Sequence, residues 1–273
     1  MPELPEVEYV ARQLRETLPG RRFTGVDVRW ARAIQGMEPA EFVAGVMGRS
    51  VTAVGRRAKY LLLTLDDGRL LIAHRRMSGN LLLRGLGQDE PPYTRVALDL
   101  DDGRRLYYTD PRKFGRLMLA WPDALPQTLA ELGPEPLEEA FTPAALAERL
   151  AGSRRAVKAA LLDQRVIAGL GNIYADEALF RAGLHPLRLA GSLTEDEVAR
   201  LHAGIQGALT TGIAHGGTTF GRHRDLYDEA GSNLEHVEVY RRTGQPCVRC
   251  KTAIVRITVA QRGTHYCPRC QPE

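Results

Sequence analysis

The sequence predicts an α+β fold: a β-rich amino-terminal part, a helical carboxy-terminal part and a closing β-ribbon. Three observations carry this. Between Arg22 and Trp121, short apolar runs are separated by turn residues, twice in the form Leu-Asp-Asp-Gly-Arg (65–69 and 100–104), and Asp-Gly between hydrophobic runs is a strong hairpin cue. From Thr142 to Ala214, helix caps and three- to four-residue apolar spacing take over. All four cysteines stand near the end as Cys247-x2-Cys250-x16-Cys267-x2-Cys270.

In chain order, residues 5–18 fit an amphipathic helix. Val7, Val10, Ala11, Leu14 and Leu18 share one face, Pro5 suits the first turn and Pro19-Gly20 ends it. Its positive dipole end disfavours an ammonium group nearby, whereas Glu3 and Glu6 favour one. Residues 22–121 read as several short strands, a sandwich or a barrel, and the two similar turns as shared turn chemistry rather than a repeat. The Pro-, Glu- and Leu-rich stretch 122–141 reads as a linker. Thr142-Pro143 fits a cap and first-turn proline, and Ser153 a cap for a helix to about Asp163. Asn172 fits a cap for a helix to about Ala182, and Thr194-Glu195-Asp196-Glu197 a capping box for one to about Ala214. The expected domains are therefore 1–121, the linker 122–141, 142–240 and the ribbon 241–273.

Composition bounds the function. The chain is 44% hydrophobic and 26% charged, which is ordinary globular usage with enough apolar surface for a core. No apolar run is long enough to span a bilayer, and the acidic, proline-containing start is unlike a secretory signal, so a cytoplasmic protein is expected. Net charge is only +4, yet Arg241–Glu273 holds seven Lys/Arg against one Asp/Glu, a footprint suited to phosphate. Paired C-x2-C elements at this separation read as one tetrahedral zinc site, closed and hence structural. Two disulfides are the alternative, disfavoured by the cytoplasmic expectation and by the crowding of the cysteines into one short tail.

The start, Met1-Pro2-Glu3-Leu4-Pro5-Glu6-Val7-Glu8, carries the chemistry. Removal of Met1 leaves Pro2 with a free secondary amine, a Schiff-base nucleophile. An α-amino group titrates near pH ~8, so more of it is neutral at pH 7 than of a lysine. Glu3 and Glu6 beside it suit proton transfer. This start resembles that of the bacterial formamidopyrimidine-DNA glycosylases, which excise oxidised purines. By itself it would read as an acidic leader before a helix, and motifs further along decide between the two readings.

Lys59, in Gly55-Arg56-Arg57-Ala58-Lys59-Tyr60, would alone be a surface charge; the resemblance makes it a catalytic phosphate contact. His74-Arg75-Arg76-Met77-Ser78-Gly79 is similar to the family's His-Leu-Gly-Met-Ser/Thr-Gly, with Arg75 and Arg76 as departures. The resemblance implies that His74 touches phosphate and that Met77 fills the gap left by the everted nucleotide, a task for an adaptable thioether. In Asp110-Pro111-Arg112-Lys113-Phe114-Gly115, it implies that Arg112 faces the orphaned cytosine and that Phe114 wedges between base pairs. Val157-Lys158 together with Gly169-Leu170-Gly171-Asn172 resembles the family's helix–two-turn–helix, with Lys158 and Asn172 on phosphate and Glu177 supporting the fold. Gly216-Gly217-Thr218-Thr219 resembles the start of a mobile loop that covers the everted base, whereas Arg222, His223 and Arg224 match no family pattern. Arg262, in the turn between the cysteine pairs, is the implied phosphate clamp.

The resemblance spans nearly the whole chain and implies a β-sandwich, a helix–two-turn–helix domain and a zinc-finger β-ribbon. The expected protein is a monomeric base-excision repair glycosylase and apurinic/apyrimidinic lyase, nucleoid-associated when on DNA. Its expected substrate is duplex DNA containing oxidised purine (8-oxoguanine, formamidopyrimidines), with strand cleavage by β,δ-elimination. The catalytic set is Pro2, Glu3, Glu6 and Lys59; one structural Zn2+ sits on Cys247, Cys250, Cys267 and Cys270. Two rivals remain. One is an endonuclease VIII-type oxidised-pyrimidine glycosylase, against which Leu4 and the Arg112/Phe114 element speak. The other is a non-catalytic zinc-stabilised DNA-binding protein, which leaves Pro2, Glu3 and Lys59 unexplained.

Overall fold

The computed structural model describes residues 2–221 and 223–273. Met1, whose removal the sequence reading requires, and Arg222 lie outside the described residues. The chain packs as two compact units, Met1–Ala130 with His215–Ser232, and Glu131–Ala214 with Asn233–Glu273. The division is not sequential, unlike the boundaries at 121, 141 and 240 expected above: residues 215–232 return to the amino-terminal unit, and the ribbon is one unit with the helices.

In the first unit, α1 (Leu4–Thr17) starts at Glu3, whose extended backbone and Glu6-bonded amide form an acidic N-cap. Its apolar face, Val7, Val10, Ala11 and Leu14, is buried. The strands form two four-stranded antiparallel sheets. One holds β1 (Phe23–Val28), β5 (Asn80–Arg84), β6 (Thr94–Leu100) and β7 (Arg105–Thr109) in the order β1-β6-β7-β5. The other is β2 (Val51–Arg57), β3 (Tyr60–Leu65), β4 (Leu70–His74) and β8 (Arg116–Ala120), in sequential order. Leu61, Leu63 and Leu71 from one sheet and Val96, Leu98 and Leu106 from the other share a single core with α1, which makes the unit a sandwich. Both expected hairpins form, and by the same means: Asp67 and Asp102 each accept the amide of the arginine two residues on. Two short helices, α2 (Pro39–Val46) and α3 (Gln127–Ala130), complete the unit.

The second unit contains α4 (Pro143–Leu150), α5 (Val157–Leu161), α6 (Asn172–Ala182), α7 (Glu195–Ala214) and the hairpin of β9 (Val255–Val259) with β10 (Arg262–Tyr266). Thr142 caps α4 as expected. Thr194 and Glu197 form the reciprocal capping box of α7. Two starts differ. The helix after Ser153 begins only at Val157, because Ala156 bridges Leu189 and the Val157 amide donates to Arg188; tertiary pairing prevails over the local cap. The N-cap of α6 is Gly171 rather than Asn172, whose side chain is engaged elsewhere. Among the described residues, no helix is long and apolar enough to cross a membrane.

Candidate active site and metal centre

Pro2 is buried immediately before the α1 cap. Glu3 and Glu6 are also buried, and Glu6 is a bridge. One oxygen of Glu6 accepts the Glu3 amide at 2.7 Å and the other accepts the Thr218 amide at 2.6 Å. Carboxylates that accept backbone amides in this way form strong, charge-assisted bonds. Gly217 enables the approach: its φ is +81°, and an added Cβ would lie 2.6 Å from Glu6 Cγ. The bridge fixes the amino-terminal segment against residues 217–218.

A second carboxylate, Glu8, accepts from Arg12, Arg15 and Arg56. Burial pushes its pKa up, but the hydrogen bonds from Arg15 and Arg56 outweigh this and hold it below the usual carboxylate range. Arg56 also donates to the Ala58 carbonyl. It thereby ties α1 to the tight β2–β3 turn, where Ala58 has φ +50° and Lys59 is only 7% exposed. His74 sits at the end of β4, opposite Tyr60 in register. Burial, and then the positive charges of Arg76 and Lys59, depress its pKa to about 3. Its Nδ1 accepts the Arg76 amide at 3.1 Å, so the neutral ring carries its proton on Nε2, a donor suited to an anion.

Met77 and Phe114 are 45% and 46% exposed. They line one open recess of about 400 Å³ with Gln35, Arg76 and Arg116. Arg112 is exposed and stacks its guanidinium 4.8 Å above the Phe114 ring. Buried Asp110 holds both loops: it accepts from the Ser78 hydroxyl and from the amides of Arg112 and Gly115. Gly115 is required there, since a Cβ would lie 1.5 Å from the Tyr108 hydroxyl.

In the second unit, Lys158 is fully buried. It is ion-paired with Asp176 and donates to Thr264 Oγ1 at 2.8 Å and to the Gly263 carbonyl at 3.2 Å. Asn172 donates to the same carbonyl at 3.0 Å. Both side chains thus grip the start of β10, just past the β9–β10 turn, whose central residues Ala260 and Gln261 have positive φ, as primed hairpin turns require. Arg262, beside that turn, is exposed. Buried Glu177 accepts the amides of residues 238–240, and burial lifts its pKa to about 7 against those donors.

The four cysteine sulfurs lie within 4.8 Å of one another, with Cys250–Cys267 at 3.4 Å and Cys247–Cys270 at 3.9 Å. These separations are too long for disulfides and bracket the roughly 3.8 Å edge of a tetrahedron with ~2.3 Å zinc–sulfur bonds. The all-thiolate set fits one zinc ion with no open position, a structural site.

Three family descriptions match in order: "Formamidopyrimidine-DNA glycosylase N-terminal domain" at residues 1–117, "Formamidopyrimidine-DNA glycosylase H2TH domain" at 132–223, and "Zinc finger found in FPG and IleRS" at 244–272. The formamidopyrimidine-DNA glycosylase of Chloroflexus aggregans is 53% identical over 99% of this chain and 98% of its own. That of Roseiflexus sp. is 49% identical over 99% and 100%. The chain belongs to the formamidopyrimidine-DNA glycosylase family. Among solved structures, MutM (Fpg) from Thermus thermophilus is 42% identical with a TM-score of 0.89, covering 100% of this chain and 99% of its own. A Lactococcus lactis Fpg mutant in complex with Fapy-dG-containing DNA is 34% identical with a TM-score of 0.91, covering 100% of both.

Three features stand outside the site residues that the sequence marks. Arg75, where the family usually has leucine, is buried. Gln13 pins Asp225 and the Leu226 amide. Leu226 itself joins the sandwich core. The only sequence signal was Arg75's departure from the family motif; a glutamine on a helix and one leucine in an irregular stretch carry none.

Proposed function

We propose that this protein is a base-excision repair glycosylase and apurinic/apyrimidinic lyase that removes oxidised purines from duplex DNA. The observation that carries the reading is the Pro2–Glu3–Glu6–Thr218 chain: a buried amino-terminal proline with two buried carboxylates locked by backbone amides. With Met1 removed, the neutral Pro2 nitrogen attacks C1′ of an everted nucleotide, since a stacked base is out of reach. The C1′–base bond breaks, and its electron pair leaves with the base, which takes up a proton. Glu3 donates a proton toward the sugar ring oxygen as the ring opens to the iminium. Loss of the acidified C2′ proton expels the 3′ phosphate, and a second elimination expels the 5′ phosphate. Glu6 positions the segment and performs no proton transfer.

Lys59 and the Nε2–H of His74 hold the phosphate of the everted nucleotide. Met77, Arg112 and Phe114 fill and wedge the vacated stack, which bends the duplex. Arg262 clamps backbone phosphate, while Asn172 and Lys158 support its turn. Zinc closes the ribbon and takes no part in the chemistry. A cytoplasmic place follows from this substrate.

The test is cleavage of duplexes containing 8-oxoguanine or thymine glycol by the wild type and by Pro2→Gly. Preference for 8-oxoguanine and loss of strand cleavage in Pro2→Gly are expected. Preference for thymine glycol would favour the endonuclease VIII-type rival, and unchanged behaviour of Pro2→Gly a non-catalytic binder.

A further inference from the structure

Arg75 is 1% exposed, and among the described residues its guanidinium is hydrogen-bonded to no carboxylate. Nε donates to the Gly79 carbonyl at 2.9 Å and Nη1 to the Glu6 carbonyl at 3.2 Å. Nη2 donates to Asn80 Oδ1 at 2.6 Å and to the Arg224 carbonyl at 2.7 Å. Asn80 Oδ1 also accepts the Arg224 amide at 3.1 Å. The backbone of Arg224 is therefore held at both its N–H and its C=O, and the same guanidinium reaches the first turn of α1.

A charge buried this deeply is costly to desolvate, and a leucine would fill such a site without that cost. Burial lowers the Arg75 pKa to about 10, so the charge survives at neutral pH. Its four acceptors lie on three separate stretches of chain: α1, residues 79–80 at the start of β5, and residue 224.

The grip has a clear geometric consequence. Residues 217–218 rest on the Glu6 carboxylate, and residues 224–226 are fixed by Arg75, Asn80, Gln13 and Leu83. Thr219 and His223, at the two ends of the span between, line a small recess with Glu6, Tyr9, Arg75 and Asp225. His223 Nδ1 is buried there with no hydrogen-bond partner among the described residues.

We propose that Arg75 is a positioning residue for base excision, its guanidinium clasping the Arg224 backbone to the start of α1 so that Thr219 and His223 are held beside Glu6, where the departing base is recognised. This rests on the function proposed above. An abasic substrate has no base to recognise, so the clasp serves excision and not the elimination steps.

The test compares Arg75→Leu with the wild type in single-turnover assays on two duplexes, one containing 8-oxoguanine opposite cytosine and one a preformed abasic site. Rates are normalised to the protein trapped by borohydride on the abasic duplex, which removes unfolded molecules from the comparison. Excision is expected to fall about tenfold or more while abasic cleavage stays within about threefold. Parallel losses on both substrates, or no loss on either, would overturn the proposal. If Arg75→Leu does not fold, Asn80→Ala removes the shared acceptor and should give the same split with a smaller excision loss; no split there has the same overturning force. A wild type that is not trapped on either duplex would instead refute the function proposed above. The clasp is then read by hydrogen exchange: faster exchange at the Arg224 and Leu226 amides in the variant, with Val10 and Leu14 unchanged, supports it, and unaltered exchange overturns it.

Discussion

At the residue scale, the site is built from polar groups forced into defined states by burial. His74 and His223 are both depressed to about 3, chiefly by burial, with Arg76 and Lys59 adding to the first and Arg75 and Arg224 to the second. A histidine whose folded pKa lies below its unfolded value of ~6.5 contributes stability above that value, lost as pH falls toward the folded pKa. Glu177, raised to about 7, acts with the opposite sign between its unfolded value and pH 7, so the histidine contribution must be isolated by substitution. Urea unfolding of the wild type and His223→Gln at pH 7.5 and 5.5 does this: the variant is expected to lose less stability on acidification, and an equal or greater loss would contradict the assignment. Gly217→Ala is expected to reduce 8-oxoguanine excision at least tenfold, because the methyl group would displace Glu6; excision kinetics check this. The sequence singles out the carboxylates and Lys59 through the motifs in which they stand. The burial of Arg75 was not, since an arginine in a loop normally reads as solvated and only tertiary packing decides otherwise.

At the scale of elements, local rules placed most boundaries. The periodicity of α1, the two Asp-Gly hairpins and the capping box of α7 all form where side-chain chemistry puts them. The exceptions share a cause. The start of α5 is set by pairing with residue 189, and the 215–232 segment by contacts with α1 and β5, partners far away in sequence. The ribbon yields a sharp contrast between two basic residues that the sequence treats alike. Exposed Arg262 is expected to act on DNA: Arg262→Ala should weaken binding and reduce the salt-dependence slope by about one, with unchanged thermal stability. Buried Lys158 is expected to act on the fold: Lys158→Met breaks its buried ion pair and leaves Asp176 with only the His265 amide and ring nitrogen, a loss of the order of 3–5 kcal/mol for a broken buried pair. Fluorescence anisotropy across a salt series and denaturant unfolding separate the two. Chelation of zinc should unfold the β9–β10 hairpin and abolish tight DNA binding, read by circular dichroism and anisotropy.

At the scale of the whole molecule, the order of motifs was legible from end to end, and the family comparison covers the same span. The division into compact units was not, because residues 215–232 leave the helical part in sequence and join the sandwich in space. That return supplies the amide of Thr218 to Glu6 and the backbone of Arg224 to Arg75, so the packing of the amino-terminal segment draws on a stretch more than 200 residues away. The central claim is that Pro2 is the nucleophile. It is tested most directly by borohydride reduction during reaction with a duplex containing 8-oxoguanine opposite cytosine, followed by peptide mass mapping of the adduct. A covalent link on Pro2, with Met1 absent, is the outcome the account predicts. A mature Pro2 terminus that binds the duplex tightly yet gives no adduct, or an adduct on a lysine, would contradict it.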